Sequence, residues 1–295
     1  MLTNDIDSSG FVSSRILERH PLINSSQNFQ SKYYAVLEYF VKKFSSRKDY
    51  ADARLVQYLN LLVGGESTLI LNESNCSQLI RSIVNTPLMP WRRKYRYWLL
   101  CDIALILIDY SDICNAQKQI ANYLSHKKAH LLEGLIAVLH SDEPVPHAYS
   151  VAEDLIRQFR VNRKFISQPA MCFMVTANMS AGKSTLINAL IGKPLTKTSQ
   201  EACTANLTYL FNKPFEDGSI NVLHSSLKLG ASYDELMTKT DISHIASFFR
   251  ALDHEHGRVC LIDTPGINSS INLEHGKLTK RALQDERYDK LIYVF

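Results

Sequence analysis

Several features that mark common protein classes are missing from this chain of 295 residues. None of its six cysteines belongs to a CxxC pair, and this excludes the usual zinc-finger and thioredoxin-like spacings. Residues 1–10 are polar and acidic, whereas a secretory signal is basic and then apolar. The longest apolar run, residues 99–108, is interrupted by Asp102 and is far shorter than the roughly 20 residues of a membrane-spanning helix. We therefore expect a cytoplasmic protein with reduced cysteines and no segment that crosses a bilayer.

The length and the apolar content of 45% are sufficient for about two domains with their own cores. The net charge is +4, and the excess of basic residues lies in the N-terminal half. Such a small excess is compatible with attraction to anionic lipid or nucleic acid, but solvated helix faces also account for it.

The first half of the chain has the periodicity of helices. A flexible segment is expected over residues 1–28, followed by a bundle of antiparallel helices over residues 29–165. The Ser150–Glu153 spacing is that of a capping box and predicts a new helix near Val151. Apolar side chains recur at intervals of three and four in residues 29–44, 55–63, 97–108, 120–139 and 151–165.

In residues 166–295, short apolar runs alternate with helical patterns, which predicts a parallel sheet flanked by helices. Ser232 and Glu235 again have capping-box spacing, and the amphipathic stretch over residues 242–252 predicts a helix in an insertion. The fold class is therefore α/β, preceded by an all-α bundle. Candidate strands are residues 172–176, 206–211, 220–224, 259–262 and 291–295.

A phosphate-binding loop is indicated between the apolar run 171–175 and the helix-like stretch 186–191. A tight turn between a strand and a helix aims backbone N–H groups and the positive helix end at phosphate oxygens. Lys183 is expected to reach the β and γ phosphates, Ser184 to bind Mg²⁺, and Thr185 to support the loop. The loop consists of Asn178, Met179, Ser180, Ala181, Gly182, Lys183, Ser184 and Thr185.

A second motif, from Asp263 through Thr264 and Pro265 to Gly266, follows the apolar run 259–262. The Asp263 carboxylate is expected to hold the hydration shell of Mg²⁺, and the Gly266 N–H to contact a γ-phosphate. That contact exists only with a triphosphate, so this loop is predicted to be a nucleotide-dependent switch. Alone, the tetrapeptide could be a plain turn, because Pro-Gly favours turns.

Together the two motifs resemble those of GTPases of the translation-factor-related class. Within that class the chain looks most like dynamin-like proteins, bacterial members included. The resemblance rests on the run 180–192, the stretch 201–205, the long helical segment that precedes them, and the interval of 80 residues between Lys183 and Asp263.

The resemblance implies that the chain binds GTP and Mg²⁺. It assigns Thr204 the role of completing the Mg²⁺ shell and positioning the attacking water, with Thr198 as a second candidate. The alternative is that Thr204 has no catalytic role and is simply the residue at the start of a strand. It also gives Ser180 a role in organising transition-state charge. Met179 stands where eukaryotic dynamins carry a glutamine, so slow hydrolysis is expected rather than lost binding. Ala177 replaces the first glycine of the loop. An alanine is tolerated there if the backbone at this position does not need a positive φ.

The resemblance further implies GTP hydrolysis that drives conformational change and self-assembly, with membrane remodelling at the inner face of a membrane. Two alternatives are open: a nucleotide-gated adaptor with weak hydrolysis, and a GTPase associated with ribosomes or nucleic acid. Residues 291–295 resemble the strand before the base-reading loop. No base-reading motif follows them, so a truncated or split GTPase domain with a partner is expected.

Two other patterns have simpler explanations. Residues 91–98 mix basic and aromatic side chains, which could contact bases or lipid headgroups, but a helix with a solvated basic face explains them. His254, Glu255 and His256 could bind a metal, yet no further ligand lies at suitable spacing, so a loop is expected.

Overall fold

The structure is a computed structural model. It describes residues 20–65, 69, 71, 75–85, 95–178, 180–196, 207–216, 219–222, 225–228, 244–252, 257–265 and 273–295. The chain divides into two compact units between Lys164 and Phe165. We call them the helical unit and the sheet unit. The functional roles predicted for these parts stay predictions.

The helical unit contains helices of 9 to 18 residues, and each is apolar on the side that it buries. The last of them continues across the division, and a short 3-10 helix at His147–Ala152 precedes it. The α-helices are α1 (Gln27–Phe44), α2 (Lys48–Val63), α3 (Cys76–Val84), α4 (Tyr95–Leu107), α5 (Tyr110–Ala121), α6 (His126–Leu139) and α7 (Glu153–Ser167).

Helix α4 lies at the centre of the helical unit. Every residue from Arg96 to Leu107 is buried, as expected for a helix that is apolar on all sides. Helices α1, α2, α3, α5 and α6 all pack against it. Helix α1 presents the predicted stripe, and its Tyr33, Leu37 and Phe40 are fully buried.

Asp102 is the polar exception in α4. Its side chain is 0% exposed and accepts hydrogen bonds from His20 Nε2 at 3.0 Å, Tyr33 Oη at 2.5 Å and Tyr58 Oη at 2.8 Å. The donors come from the segment before α1, from α1 and from α2. We call these four residues the Asp102 centre. Burial of a carboxylate requires such partners, so the centre joins three segments around α4.

Three details differ from the sequence-based predictions. The periodic stretch 120–139 is not one helix, because α5 ends at Ala121 and α6 begins at His126. The helix predicted near Val151 begins as the 3-10 turn, and α7 starts at Glu153. The predicted solvated basic face is wrong at Arg96, whose guanidinium is buried and lies 4.7 Å from the ring of Tyr97. Residues 91–94 lie outside the described residues.

The sheet unit contains a sheet of seven strands in the order β4-β3-β5-β2-β6-β1-β7. Helix α8 (Lys183–Ile191) follows β1, and helix α9 (Leu273–Asp285) precedes β7. The strands are β1 (Ala170–Ala177), β2 (Thr208–Asn212), β3 (Ser219–Val222), β4 (Ser225–Lys228), β5 (His244–Ser247), β6 (Arg258–Asp263) and β7 (Lys290–Val294). The predicted class, an α/β sheet after a helical segment, is confirmed, and each predicted strand overlaps an observed one.

The predicted parallel sheet is mixed. Strands β6, β1 and β7 are parallel to one another, but β2 runs antiparallel to β6, and β3 runs antiparallel to β4 and β5. The helix predicted over residues 242–252 is also wrong, because His244–Ser247 form β5. This strand lies between β3 and β2 and buries Ile245 and Ala246, so pairing inside the sheet overrides a helical pattern of apolar residues. Strand β4 was not expected.

The core of the sheet unit forms between α8 and one face of the sheet. Ile187 and Ile191 of α8 pack with Val175 of β1, Leu210 of β2 and Leu261 of β6. This packing fixes α8 against the central strands, and the start of α8 is therefore held at the end of β1. No helix among the described residues is both long and apolar enough to span a bilayer.

Candidate functional site

The site begins where β1 turns into α8. Ala177 ends the strand in an extended conformation, so alanine is tolerated at the position of the usual first glycine. Ser180 and Gly182 have φ angles of 64° and 85°. Gly182 is the N-cap residue of α8, and its carbonyl accepts the first helical hydrogen bond from Leu186 N at 2.9 Å. A left-handed conformation favours glycine at this position, whereas a serine pays a conformational cost.

The loop between β1 and α8 faces solvent. Asn178, Ser180, Gly182 and Thr185 are exposed, and a Cβ placed on Gly182 would meet no atom within 4 Å. The N–H groups of the first turn of α8, which have no acceptor within their own helix, also lie here, with the positive end of the helix dipole. An open loop at a helix N-terminus is suited to binding an anion.

Lys183, the first residue of α8, does not extend into solvent. Its residue is 8% exposed, and its ammonium donates to Oδ1 of Asp263, whose residue is 1% exposed. A cation and an anion are therefore buried together beside the exposed loop. Neither residue was predicted to contact the other, because the sequence assigned them to different parts of a ligand.

Strand pairing explains why the two side chains meet. In the parallel pair of β1 and β6, Asp263 lies opposite Val175, two residues before the end of β1. Both strands end at the same edge of the sheet, which is where ligands bind in open α/β sheets. Thr264 continues the contact, because its N–H and its hydroxyl both donate to the carbonyl of Val175, at 3.3 and 3.0 Å.

Burial raises the pKa of the Asp263 carboxyl above its ordinary value of 3.8, and the neighbouring Lys183 ammonium partly opposes this rise. Removal from water is costly for a charge, and a single partner offsets only part of that cost. The Lys183–Asp263 pair is therefore a buried ion pair at the edge of a solvent-facing loop, and Lys183 offsets only part of the cost of burying the carboxylate. A ligand that supplies both an anion and a cation could satisfy each member separately.

Ser184 is partly buried in the first turn of α8, and the loop that follows the helix folds back to it. Its carbonyl accepts a hydrogen bond from Thr196 Oγ1 at 3.2 Å. The Asn188 side chain holds the same loop. Its Oδ1 accepts from Leu195 N at 2.9 Å and Thr196 N at 2.8 Å, and its Nδ2 donates to Thr196 O at 2.7 Å. Asn188 thus fixes the chain directly before residues 197–206.

Asn188 was missed as a positioning residue, although a signal was present. It lies four residues after Ser184, and residues four apart share one face of a helix. A polar side chain on that face, inside an apolar run, required a partner. No sequence pattern indicated that Lys183 pairs with Asp263, because this contact arises only when β1 and β6 lie side by side in the sheet.

Several predicted residues lie outside the described residues. They are Met179, Thr198, Thr204 and Gly266, together with His254, Glu255 and His256. Their assigned roles stay predictions. Within the part of the chain that the structure describes, no group of three or more His, Cys, Asp or Glu side chains is placed to hold a metal ion.

Comparison with known proteins gives a family match within the sheet unit. The model of the Dynamin family matches residues 174–295, a span that includes the loop, α8, Asp263 and β7. A search of curated proteins gives no match.

Among solved structures, the chain matches one described as "An oligomerised bacterial dynamin pair provides a mechanism for the long-range sensing and tethering of membranes". The sequence identity is 16% and the TM-score is 0.28. The match covers 92% of this chain, which spans 50% of that one. The family match confirms the resemblance drawn from the sequence: residues 174–295 of the chain are similar to the Dynamin family.

Proposed function

We propose that this protein binds GTP with Mg²⁺ and hydrolyses it to GDP and phosphate. The observation that carries the proposal is the Lys183–Asp263 pair, buried beside an exposed loop at the N-terminus of α8. The preference for guanine is inferred from the similarity of residues 174–295 to the Dynamin family.

The residues present fit a nucleotide with its metal. The open space over Gly182 and the N–H groups of the first turn of α8 suit phosphate oxygens, and Lys183 supplies a positive charge. Ser184 and Asp263 carry the hydroxyl and carboxylate oxygens that Mg²⁺ prefers, and Thr204 is proposed to add another. When bound, Mg²⁺ neutralises charge on the β and γ phosphates.

The chain's own residues then act in a simple order. With nucleotide bound, Lys183 would donate to phosphate oxygens instead of to Asp263, and Asp263 would be free to hold the hydrated metal. Each member of the buried pair would then have a partner of its own, which would offset part of the cost of burying it. Ser180 and Thr204 are proposed to organise the transition state, because phosphoryl transfer depends chiefly on positioning and charge stabilisation.

We further propose that the nucleotide state drives conformational change and self-association, and that the protein acts at the surface of a membrane. The family match supports this part of the proposal. Lipid-stimulated turnover together with GTP-dependent growth of the particle size in light scattering would support it. Turnover that is unaffected by anionic liposomes and raised by RNA would favour a nucleic-acid-associated GTPase.

A second candidate is a nucleotide-gated adaptor that binds GTP and hydrolyses it slowly. Met179 favours this candidate, because an apolar side chain there cannot orient a water molecule. Tight binding of GTP with single-turnover hydrolysis no faster than solution hydrolysis would select the adaptor.

Substitution of Lys183 tests the proposed binding site. Lys183→Ala removes the charge that meets the phosphates, and we expect the affinity for fluorescent GTP to fall about a hundredfold, since a hydrogen bond to a charged group contributes roughly 1.5–3 kcal/mol. Lys280→Ala is the matched control, because Lys280 is an exposed lysine of α9 in the same unit. Unchanged affinity in Lys183→Ala would overturn the proposal. Competition by unlabelled ATP as strong as that by GTP would remove the preference for guanine.

A further inference from the structure

Two cysteines stand opposite each other on the central strands of the sheet unit. Cys172 of β1 and Cys260 of β6 are register partners in the parallel pair of these strands. Their neighbours Phe173 and Leu261 pack in the core with α8, and side chains alternate between the two faces of a strand, so both thiols lie on the other face. Neighbouring strands are about 4.8 Å apart, which is within the Cα separation of about 4.4–6.8 Å that a disulfide needs.

The two thiols are already in contact. Both cysteines are free, and the S–H of Cys260 donates a hydrogen bond to the sulfur of Cys172. A disulfide between them would therefore need little movement of the backbone, which is the usual obstacle to forming one. Over the described ranges, no third His, Cys, Asp or Glu side chain joins the pair to make a metal site.

The environments of the two thiols differ. The hydrogen bond from Cys260 lowers the pKa of the Cys172 thiol below its ordinary value of 9.0, although burial and the nearby Asp289 oppose this. Burial raises the pKa of the Cys260 thiol well above that value. Because the thiolate is the form that attacks an oxidant, Cys172 is the more reactive member, and Cys260 stays protonated beside it.

Cys172 is also the member closer to solvent. It is 8% exposed, whereas Cys260 is 0% exposed. Asp289, an exposed residue, makes two hydrogen bonds of 2.8 Å to the backbone of Cys172, one through its carboxylate and one through its N–H. A small neutral oxidant such as hydrogen peroxide therefore has a shorter route to Cys172 than to Cys260.

We propose that Cys172 and Cys260 are a peroxide-sensitive thiol pair, in which Cys172 is oxidised first and Cys260 then closes a disulfide between β1 and β6. The oxidant is a hydroperoxide, with hydrogen peroxide as the simplest. The sequence of steps needs no nucleotide and no metal ion.

The two steps balance. The Cys172 thiolate attacks one oxygen of hydrogen peroxide, the O–O bond breaks, and the departing hydroxide takes a proton to become water. The sulfur is oxidised to a sulfenic acid, and the peroxide is reduced. The Cys260 sulfur then attacks the Cys172 sulfur, the S–S bond forms, and the S–O bond breaks. The hydroxyl leaves with the proton of Cys260 as a second water, so two thiols and one peroxide give one disulfide and two waters.

The disulfide would join the two strands that carry the candidate site. β1 runs from Cys172 to the phosphate loop, which begins after Ala177, and β6 runs from Cys260 to Asp263. A cross-link restricts the unfolded chain, so the oxidised sheet unit should be harder to unfold than the reduced one. A dithiol reductant should reverse the effect, because it exchanges with the disulfide.

Peptide mapping of the full chain tests the proposal. The reduced protein is treated with hydrogen peroxide, its remaining thiols are alkylated, and it is digested with trypsin without reductant. Cys172 and Cys260 fall in separate tryptic peptides, residues 165–183 and 259–277, and each peptide contains one cysteine. We expect these two peptides to appear linked, with a mass two hydrogens below their sum, and to separate with dithiothreitol. Cys101, which is also 0% exposed, is the internal control and should stay a thiol.

Two substitutions separate the attacking thiol from the resolving thiol. In Cys260→Ser, oxidation should stop at the sulfenic acid of Cys172, which dimedone captures. In Cys172→Ser, Cys260 should stay a thiol under the same treatment. A cysteine pair that served only in packing would give neither the sulfenic acid nor this asymmetry.

Hydrogen exchange gives a readout that uses the wild type alone. The most protected amides of β1 and β6 should exchange at least about tenfold more slowly after peroxide treatment, and dithiothreitol should restore the original rates. Equal rates in the linked and the reduced protein would show that the disulfide does not hold the two strands.

Three results would overturn the inference. The first is a folded wild type that keeps both thiols in peroxide while the protein unfolded in urea loses them, a result that depends on no variant. The second is linkage of Cys172 to other cysteines as often as to Cys260. The third is dimedone capture of Cys260 in Cys172→Ser that equals the capture of Cys172 in Cys260→Ser.

Discussion

The most deeply buried aspartates among the described residues of the two units, Asp102 and Asp263, are satisfied differently. Asp102 in the helical unit is 0% exposed and accepts hydrogen bonds from three side chains. Asp263 in the sheet unit is 1% exposed and is paired with Lys183. Both carboxylates carry the cost of leaving water, and within the described part of the chain the Asp102 centre provides three side-chain donors to offset it, whereas the ammonium of Lys183 is the partner of Asp263.

The difference separates structural burial from functional burial. Tyr33 and Tyr58 belong to helices that pack on α4, so their bonds to Asp102 form with the core, and the burial that creates them also raises the pKa of each phenol. Asp263 lies beside an open loop, where a ligand can replace Lys183. We therefore expect the Asp102 centre to contribute to stability and the Lys183–Asp263 pair to contribute to binding.

The largest expected effect on stability is that of Asp102→Asn. The amide has one accepting oxygen where the carboxylate has two, so at least one buried hydroxyl or ring nitrogen loses the acceptor for its hydrogen. The free energy of unfolding should fall by about 2–3 kcal/mol. Tryptophan fluorescence in urea measures it, because both tryptophans, Trp91 and Trp98, precede the division at residue 165. Loss below about 0.5 kcal/mol would show that the centre is not structural.

Gly192→Ala should destabilise the sheet unit without involving its site. Gly192 ends α8 with φ at 76°, and a Cβ there would lie 2.8 Å from Cβ of Arg250. The clash and the left-handed conformation together should cost about 1–2 kcal/mol. Hydrogen exchange of the most protected amides in β1 and β6 measures this loss of stability. The affinity for GTP, measured well below the melting temperature, should stay unchanged. A large loss of affinity would mean that the far end of α8 shapes the loop.

Asp263→Asn should alter stability least among the buried substitutions. The cost of burying a carboxylate disappears, and the amide oxygen can still accept from Lys183. The Lys183 ammonium loses its opposite charge but can extend into the exposed loop beside it, so we expect a change within about 1 kcal/mol rather than the full cost of an unpaired buried charge. The same exchange experiment on β1 and β6 measures it. A loss as large as that of Asp102→Asn would erase the distinction between the two aspartates.

His140 gives the helical unit a small dependence on pH. Burial, with a contribution from Arg163, lowers the pKa of its imidazole below 6.5. The unfolded chain therefore binds this proton more readily than the folded chain does. The contribution of the neutral His140 to the free energy of unfolding is fully present above pH 6.5 and is lost as the pH falls below that value. In urea unfolding between about pH 8 and pH 5, His140→Asn should lose less stability than the wild type. Equal slopes would exclude His140 as the cause.

The parts of the fold that could be predicted are those with a local pattern. The periodicity of α1 and the strand-loop-helix around residues 177–185 follow from residues that are neighbours in the sequence. Strand β5 could not be predicted, because Ile245 and Ala246 become strand residues only through pairing with β2 and β3. Asp102 was visible as an interruption of an apolar run, but its donors lie 44 to 82 residues away.

The candidate site also has some features that the sequence predicts and others that only the fold reveals. The phosphate loop and Asp263 follow from short motifs, whereas the contact between Lys183 and Asp263 depends on the order of strands in the sheet. Motifs indicate which chemical groups are available. Topology decides which groups neutralise one another before a ligand arrives.

The most direct test of the central claim is the affinity for fluorescent GTP, measured in the wild type and in Asp263→Asn, with Mg²⁺ and with EDTA. If Asp263 exchanges Lys183 for the hydrated metal, Mg²⁺ should strengthen wild-type binding at least about tenfold, or about 1.4 kcal/mol. Asp263→Asn should lose most of that gain. Equal strengthening by Mg²⁺ in both proteins would contradict the account, because the buried carboxylate would then serve only to neutralise Lys183.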